Sequence, residues 1–356
     1  MNGDIIKVFL GATISFMVGI GITPTLSNFF YKYKLWKRVA REENNQDKNG
    51  LGVSVAYQSI HNKDEEVRTP RVGGMVVWGA VLVTMFVLFL ISKFFPADIG
   101  RRFDFVSRNQ TLLPLCALLL GALVGFFEDC LEIYTGKFKN FVHGLSAKYL
   151  ISIITTLGFL FASWFYFKLG VSSIHIPLAG EWDLGWFFIP FFILVMLGTF
   201  SSRVIDGVDG LSGGVLASIF ASYTAIAFFH NQIDIAAFCA VVTGAILAFL
   251  WFNIPPARFY MGETGMLALS MCLTVVAFLT NTAVLLLVIA FPLVATALSS
   301  AIQIFSKKYF HKKVFKIAPL HHHFEALGWS RPKITMRYWI ISVICAILGI
   351  IISVVG

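Results

Sequence analysis

Residues 185–230 read GWFFIPFFILVMLGTFSSRVIDGVDGLSGGVLASIFASYTAIAFFH. Two long apolar runs flank a turn at 205–210, and Arg203, Asp206 and Asp209 are the stretch's only Asp, Glu, Lys or Arg residues. About 20 mostly apolar residues cross the hydrocarbon core of a bilayer as a helix. A carboxylate beside lipid is costly, so acids kept at the junction of two spans mark a functional position. The stretch therefore reads as two membrane helices joined by an acidic turn.

The rest of the chain repeats the pattern. Hydrophobic residues make up 57% and charged residues 13% of 356 positions, and mean hydropathy is +0.79. A soluble domain is nearer half apolar and a quarter charged. Ten stretches are apolar enough to span: about 5–28, 73–95, 111–131, 147–168, 185–204, 211–230, 233–252, 264–281, 283–305 and 336–355. The expected fold is all-α, a polytopic integral membrane protein of about ten transmembrane helices forming one domain over 1–356. The first stretch is expected to span rather than be cleaved, because no small-residue cleavage site follows it. Alternation of Val171, Ile174, Ile176 and Leu178 within 169–184 suggests a short hairpin. Cys116, Cys130, Cys239, Cys272 and Cys345 show no zinc or disulfide spacing and are expected to pack as small buried apolar groups.

Ten spans give alternating loops. One set contains 29–72, 132–146, 205–210, 253–263 and 306–335. It holds Lys32, Lys34, Lys37, Arg38, Arg41, Lys48, Lys63, Arg68, Arg71, Lys307, Lys308, Lys312, Lys313, Lys316, Arg331 and Lys333. The other set, with both termini, 96–110, 169–184, 231–232 and the region around 282, offers mainly Arg101, Arg102 and Arg108. The positive-inside rule places the first set in the cytoplasm and both termini outside. The net charge of +9 thus reads as an orientation signal rather than a nucleic-acid footprint.

Every acidic motif then faces the cytoplasm. Asp206-Gly207-Val208-Asp209-Gly210 sets two acids three residues apart in a glycine-rich turn, where a ligand can approach the backbone. Glu128-Asp129 ends the third span. Adjacent acids repel unless a proton, a divalent metal or a cation such as Lys137 or Lys139 intervenes. After the seventh span, Pro255 and Pro256 break the helix within Asn253 to Gly265. There Tyr260 suits stacking on a flat ring and Glu263 a hard cation. Ala318 to Glu325 carries His321, His322 and His323, which cannot all face one point and match no zinc spacing. Carboxylates, cations and imidazoles at the inner membrane surface suit phosphoryl transfer between a soluble nucleotide and a lipid phosphate, with Mg²⁺.

These motifs resemble those of the polyprenyl-phosphate N-acetylhexosamine-1-phosphate transferases. The matching stretches are Thr69 to Gly74, Gly125 to Asp129, Gly144 to Lys148, Asp206 to Leu211, Asn253 to Gly265 and Ala318 to Gly328, through most of the chain. The histidine run followed by Gly328-Trp329 resembles the muramoyl-pentapeptide branch most. The resemblance implies a multi-pass enzyme of the bacterial inner membrane, acting in peptidoglycan biosynthesis with its site in the cytoplasm. It would transfer phospho-MurNAc-pentapeptide from UDP-MurNAc-pentapeptide to undecaprenyl phosphate with Mg²⁺, giving lipid I and UMP. The implied partners are those two substrates, membrane lipids and a second copy of the chain, with no nucleic acid. The implied catalytic residues are Glu128, Asp129, Asp206 and Glu263, with the metal at Glu263 and Asp206. Substrate contacts are implied for Asn253, Tyr260, Asp209, Gly207, Val208, Lys148, His321, His322 and His323.

The chain departs from the family pattern at several positions. Glu128 and Glu263 stand where Asp is usual, Arg203 where Asn is, Glu132 where Lys is, and Met266 where Ser is. Arg71 after Pro70 is closer to GlcNAc-type relatives. A transferase using UDP-GlcNAc or another UDP-sugar is the alternative reading. A lipid or sugar transporter and an inactive paralogue are two more, because acids and interrupted helices also line transport paths.

Overall fold

The computed structural model describes residues 2–36, 69–94, 109–134 and 145–356. Most of the expected loops 29–72, 96–110 and 132–146 lie outside the described residues, and with them Lys37, Arg38, Arg41, Lys48, Lys63, Arg68, Arg101, Arg102, Arg108, Lys137 and Lys139.

Among the described residues, nine helical segments are long and apolar enough to cross a membrane. The chain begins with α1 (Asn2–Lys32), α2 (Gly74–Phe94), α3 (Asn109–Ile133) and α4 (Ala147–Ser163). A hairpin follows, β1 (Ser173–Ile176) antiparallel to β2 (Gly180–Asp183), with Ser173 opposite Asp183, as the alternation suggested. Next come α5 (Phe188–Ser201), α6 (Leu211–Phe229), α7 (Ile233–Asn253) and α8 (Gly262–Leu279).

The stretch expected as one span at 283–305 is divided. A short α9 (Leu286–Ile289) ends at Ala290, whose φ of −99° and ψ of 24° leave the helical region. Then α10 (Phe291–Phe310) restarts with Pro292 in its first turn, where a missing N–H costs nothing. Gln303, Ser306, Lys307 and Lys308 make α10 more polar than the nine spans. The short α11 (Leu320–Ala326) carries the histidine run, and α12 (Arg331–Val355) completes the chain.

Helices apolar on every side must be surrounded by protein or lipid. Both solutions occur here. The centre is α6, α7 and α8, which are mostly buried, whereas α1 and α12 are mostly exposed to their surroundings. Phe220, Phe238, Phe249, Leu269 and Val276 fill the space between them. A second cluster joins the segment just after α4 to α5 and α8 through Phe165, Phe188, Phe192 and Phe278, with Phe192 and Phe278 ring centres 4.3 Å apart. Outer helices present Phe86, Leu123 and Ile340 to their surroundings, as lipid allows.

Helices α3 and α8 approach closely. A Cβ on Gly121 would fall 2.5 Å from the Leu267 carbonyl oxygen, and one on Gly125 would strike the carbonyl of Glu263. This small-residue spacing lets two membrane helices meet backbone to backbone. It brings the end of α3 that carries Glu128 and Asp129 against the first turn of α8. Of the five cysteines, only Cys239 and Cys272 are buried as expected; Cys130 and Cys345 are half-buried and Cys116 is exposed.

Candidate active site

The site is organised around the start of α8. Gly262 has φ +68°, and a side chain there would strike the Arg71 carbonyl. The first N–H groups of a helix have no partner within it. Here acids from two distant segments supply them. Gly262 N–H donates to Asp206 Oδ2 at 3.0 Å, Glu263 N–H to Asp129 Oδ1 at 3.1 Å, and Thr264 N–H to Asp129 Oδ2 at 2.8 Å. Negative charge is favoured at a helix N-terminus. Ser212 Oγ donates to Asp206 Oδ1 at 2.7 Å. Burial raises the pKa of Asp206 above the ordinary carboxylate value, against the lowering effect of these bonds and of the Arg71 charge.

Asn253 joins two loops. Its Oδ1 accepts the Gly210 N–H at 3.0 Å and its Nδ2 donates to the Phe259 carbonyl at 2.8 Å. It is buried, and both of these partners are backbone, so it splices the 206–210 turn to the loop before α8. Ala257 N–H adds a bond to Asp209 Oδ2 at 3.1 Å. From α12, Thr335 Oγ1 and Trp339 Nε1 donate to the carbonyls of Asp209 and Gly210, each at 3.0 Å. Tyr260 pairs through its backbone with Pro70 and Gly73, which brings the 69–74 segment to the site. Burial first, then the charge of Asp209, raises the pKa of its phenol, while Arg71 and Arg331 oppose the shift.

Glu263 projects from the first turn of α8. Its Oε1 lies 2.7 Å from Arg203 Nη1, and the Arg203 guanidinium sits 4.8 Å above the Phe200 ring. Its Oε2 is buried and has no hydrogen-bond partner among the described residues. Glu128 Oε2 accepts the Leu145 N–H at 2.8 Å, which ties the start of α4 to the site. Glu132 pairs with Arg71 at 3.2 Å.

The histidines divide their work. A Cβ on Gly207 would lie 2.8 Å from His321 Nε2 and 3.0 Å from His322 Nε2, so both rings close on the turn where it carries no side chain. His322 Nδ1 lies 3.0 Å from Glu325 Oε2, and Arg331 Nε donates to Glu325 Oε1 at 2.8 Å. Burial would raise the Glu325 pKa, but the bonds from His322 and Arg331 outweigh it and hold it below the ordinary value. Glu325 orients the His322 ring through Nδ1, which turns its Nε2 edge toward Gly207. His323 serves the loop instead: its Nδ1 accepts the Lys316 N–H at 3.2 Å.

Glu128, Asp129, Asp206, Gly207, Asp209, Asn253, Tyr260, Glu263, His321 and His322 thus gather at one end of the bundle. Val208 is buried beneath the turn. Lys148 lies exposed on the first turn of α4, and His323 faces away. Arg203, Arg71, Arg331, Ser212 and Glu325 were not among the residues expected to function. The signal for Arg203 and Arg71 was present, since both depart from the family pattern.

No three His, Cys, Asp or Glu side chains form a closed metal cage among the described residues. Mg²⁺ usually takes one or two carboxylates and completes its shell with substrate phosphates and water. Glu263 Oε2, buried and without a hydrogen-bond partner among the described residues, is an oxygen donor of that kind, and Asp206 retains lone-pair capacity beyond the bonds from Ser212 and Gly262. The residues fit an open Mg²⁺ site at Glu263.

Comparison with known proteins identifies the family. The family described as glycosyl transferase family 4 matches residues 111–281. A phospho-N-acetylmuramoyl-pentapeptide-transferase of Geobacillus thermodenitrificans is 30% identical over 98% of both chains. One of Clostridium perfringens is 31% identical over 95% of this chain and 96% of its own. One of Bacillus subtilis is 30% identical over 96% of each. These are bacterial proteins, and the chain's own apolar helices make it a multi-pass membrane protein. The chain belongs to glycosyl transferase family 4, among the polyprenyl-phosphate N-acetylhexosamine-1-phosphate transferases.

Proposed function

We propose that this protein transfers phospho-MurNAc-pentapeptide from UDP-MurNAc-pentapeptide to undecaprenyl phosphate, giving lipid I and UMP, at the cytoplasmic face of the bacterial inner membrane. The observation that carries this reading is the meeting of Asp129, Asp206 and Glu263 at the start of α8, with His321 and His322 across Gly207. The shared name of the relatives supports the choice of donor.

Glu263 Oε2, with Asp206 beside it, would hold Mg²⁺. When bound there, the ion would supply Lewis-acid charge to the donor's phosphate oxygens. Tyr260 stacks on the uracil ring, with Asp209 and Arg331 around it. His321 and His322 hold the diphosphate over Gly207 through their Nε2 edges. Glu128 takes the proton remaining on the acceptor phosphate, a monoester whose second ionisation lies near pH ~6. An acceptor oxygen then forms a bond to the β-phosphorus, the bond from that phosphorus to the bridging oxygen breaks, and UMP leaves with the electron pair. Asp129 acts through the helix it caps and is a positioning residue. Lys307, Lys308, Lys312, Lys313, Lys316 and Lys333 support the inward orientation through the positive-inside rule. Pairing of two copies in the membrane rests on the family resemblance alone.

The test supplies purified protein with undecaprenyl phosphate and either UDP-MurNAc-pentapeptide or UDP-GlcNAc. UMP and a lipid-linked product are expected from the first donor, and chelation of divalent ions is expected to stop turnover. Product from UDP-GlcNAc alone, or no UMP from either donor, would overturn the reading.

A further inference from the structure

The carboxylate that reads as the metal donor is already engaged by a cation: Arg203 Nη1 and Glu263 Oε1 form an ion pair of 2.7 Å. Arg203 is held on its other side by the Phe200 ring at 4.8 Å, an arrangement that favours a cation over an aromatic face. Its backbone lies in the tight turn Ser202–Ile205 that leads into Asp206, so the same segment supplies both a cation and an acid. Both partners are about three-quarters buried, with side-chain exposures of 24% and 26%.

We infer that Arg203 is a latch on Glu263: it competes with the divalent ion for this carboxylate until the donor's diphosphate draws the guanidinium away. The inference rests on the reading of Glu263 as the metal's oxygen donor. Like charges repel most where water is scarce, so a guanidinium on Oε1 weakens a divalent ion on Oε2. By linkage, an ion that binds Glu263 weakens the Arg203 pair to the same degree. A diphosphate offers Arg203 an alternative partner, because the planar fork of Arg matches phosphate oxygens in pairs. Donor and metal therefore load together, and the carboxylate stays neutralised between turnovers.

The test uses Mn²⁺ as a spectroscopic stand-in, with the purified full-length protein and no lipid substrate. Free and bound Mn²⁺ are counted by electron paramagnetic resonance. Arg203→Asn and Arg203→Gln are expected to bind Mn²⁺ about fivefold or more tightly than the parent protein. Arg203→Lys keeps the charge and should stay near the parent value, which separates charge from packing. Adding UDP should tighten Mn²⁺ binding more in the parent than in Arg203→Asn. Equal Mn²⁺ affinity in the parent and both neutral variants would overturn the latch. Should the neutral variants fail to fold, a smaller UDP effect in Arg203→Lys than in the parent supports the latch, and an equal effect in the two, or no effect in the parent, overturns it. Glu263→Gln should abolish Mn²⁺ binding; binding that survives this change overturns the metal assignment itself, a result distinct from failure of the latch.

Discussion

Glu263→Gln is expected to lower kcat about 10²–10³-fold while leaving the protein folded, the cost typical of removing one charge-stabilising group from a preorganised site. Gln preserves shape and can still accept from Arg203 Nη1, but it carries no charge for a divalent ion. The side chain lies on the first turn of α8, and its only ion pair among the described residues is with Arg203. Little of the fold depends on it, so thermal unfolding should be close to that of the parent. Glu263→Asp tests reach separately. Shortening by one methylene displaces the carboxylate by roughly an ångström, which can cost about a hundredfold. A large loss would mean that the surrounding backbone is built for Glu. Turnover within a factor of about two in Glu263→Gln would remove Glu263 from the mechanism.

Asp129→Ala is expected to damage stability and activity together. Asp129 is 1% exposed, and its two oxygens accept the N–H groups of Glu263 and Thr264. Removing the carboxylate strands both donors where water does not reach, at about 1–3 kcal/mol for each. The helix start that loses its cap is the one that carries Glu263, so turnover falls because the metal donor is misplaced. Thermal unfolding and kcat should therefore drop in parallel. A fall in kcat with an unchanged unfolding temperature would mean that Asp129 takes part in the chemistry directly, and the positioning role would be wrong.

The spans were legible in the sequence because helices apolar on every side leave a long, uninterrupted signal. The break at Ala290 was not, since Pro292 sits inside an apolar run and marks a restart only once the backbone is seen. The acidic residues could be named because charge is conspicuous among apolar neighbours. Their duties could not. Asp129 caps a helix 134 positions away, and no local pattern announces a bond between a side chain and so distant a backbone. That the Asn253 amide bonds the backbone of Gly210 and Phe259 could not be read from the sequence either. Three adjacent histidines could not all face one point, which was legible; that His323 is the one turned away depends on the Lys316 N–H. Arg203 and Glu263 were each visible as departures, and only the fold makes them a pair.

The account depends most on the acids and the histidine pair sharing one pocket on the cytoplasmic side. Single cysteines at Arg258, Leu327 and Leu178, with the five native cysteines replaced, test this through a membrane-impermeant maleimide. Arg258 lies on the loop before α8, Leu327 follows the histidine helix, and Leu178 is 86% exposed at the hairpin tip. Cysteines at 258 and 327 should be labelled only in inverted membrane vesicles, and the one at 178 only from outside intact cells. Labelling of 258 and 327 from opposite sides, or of both from outside, would contradict the account.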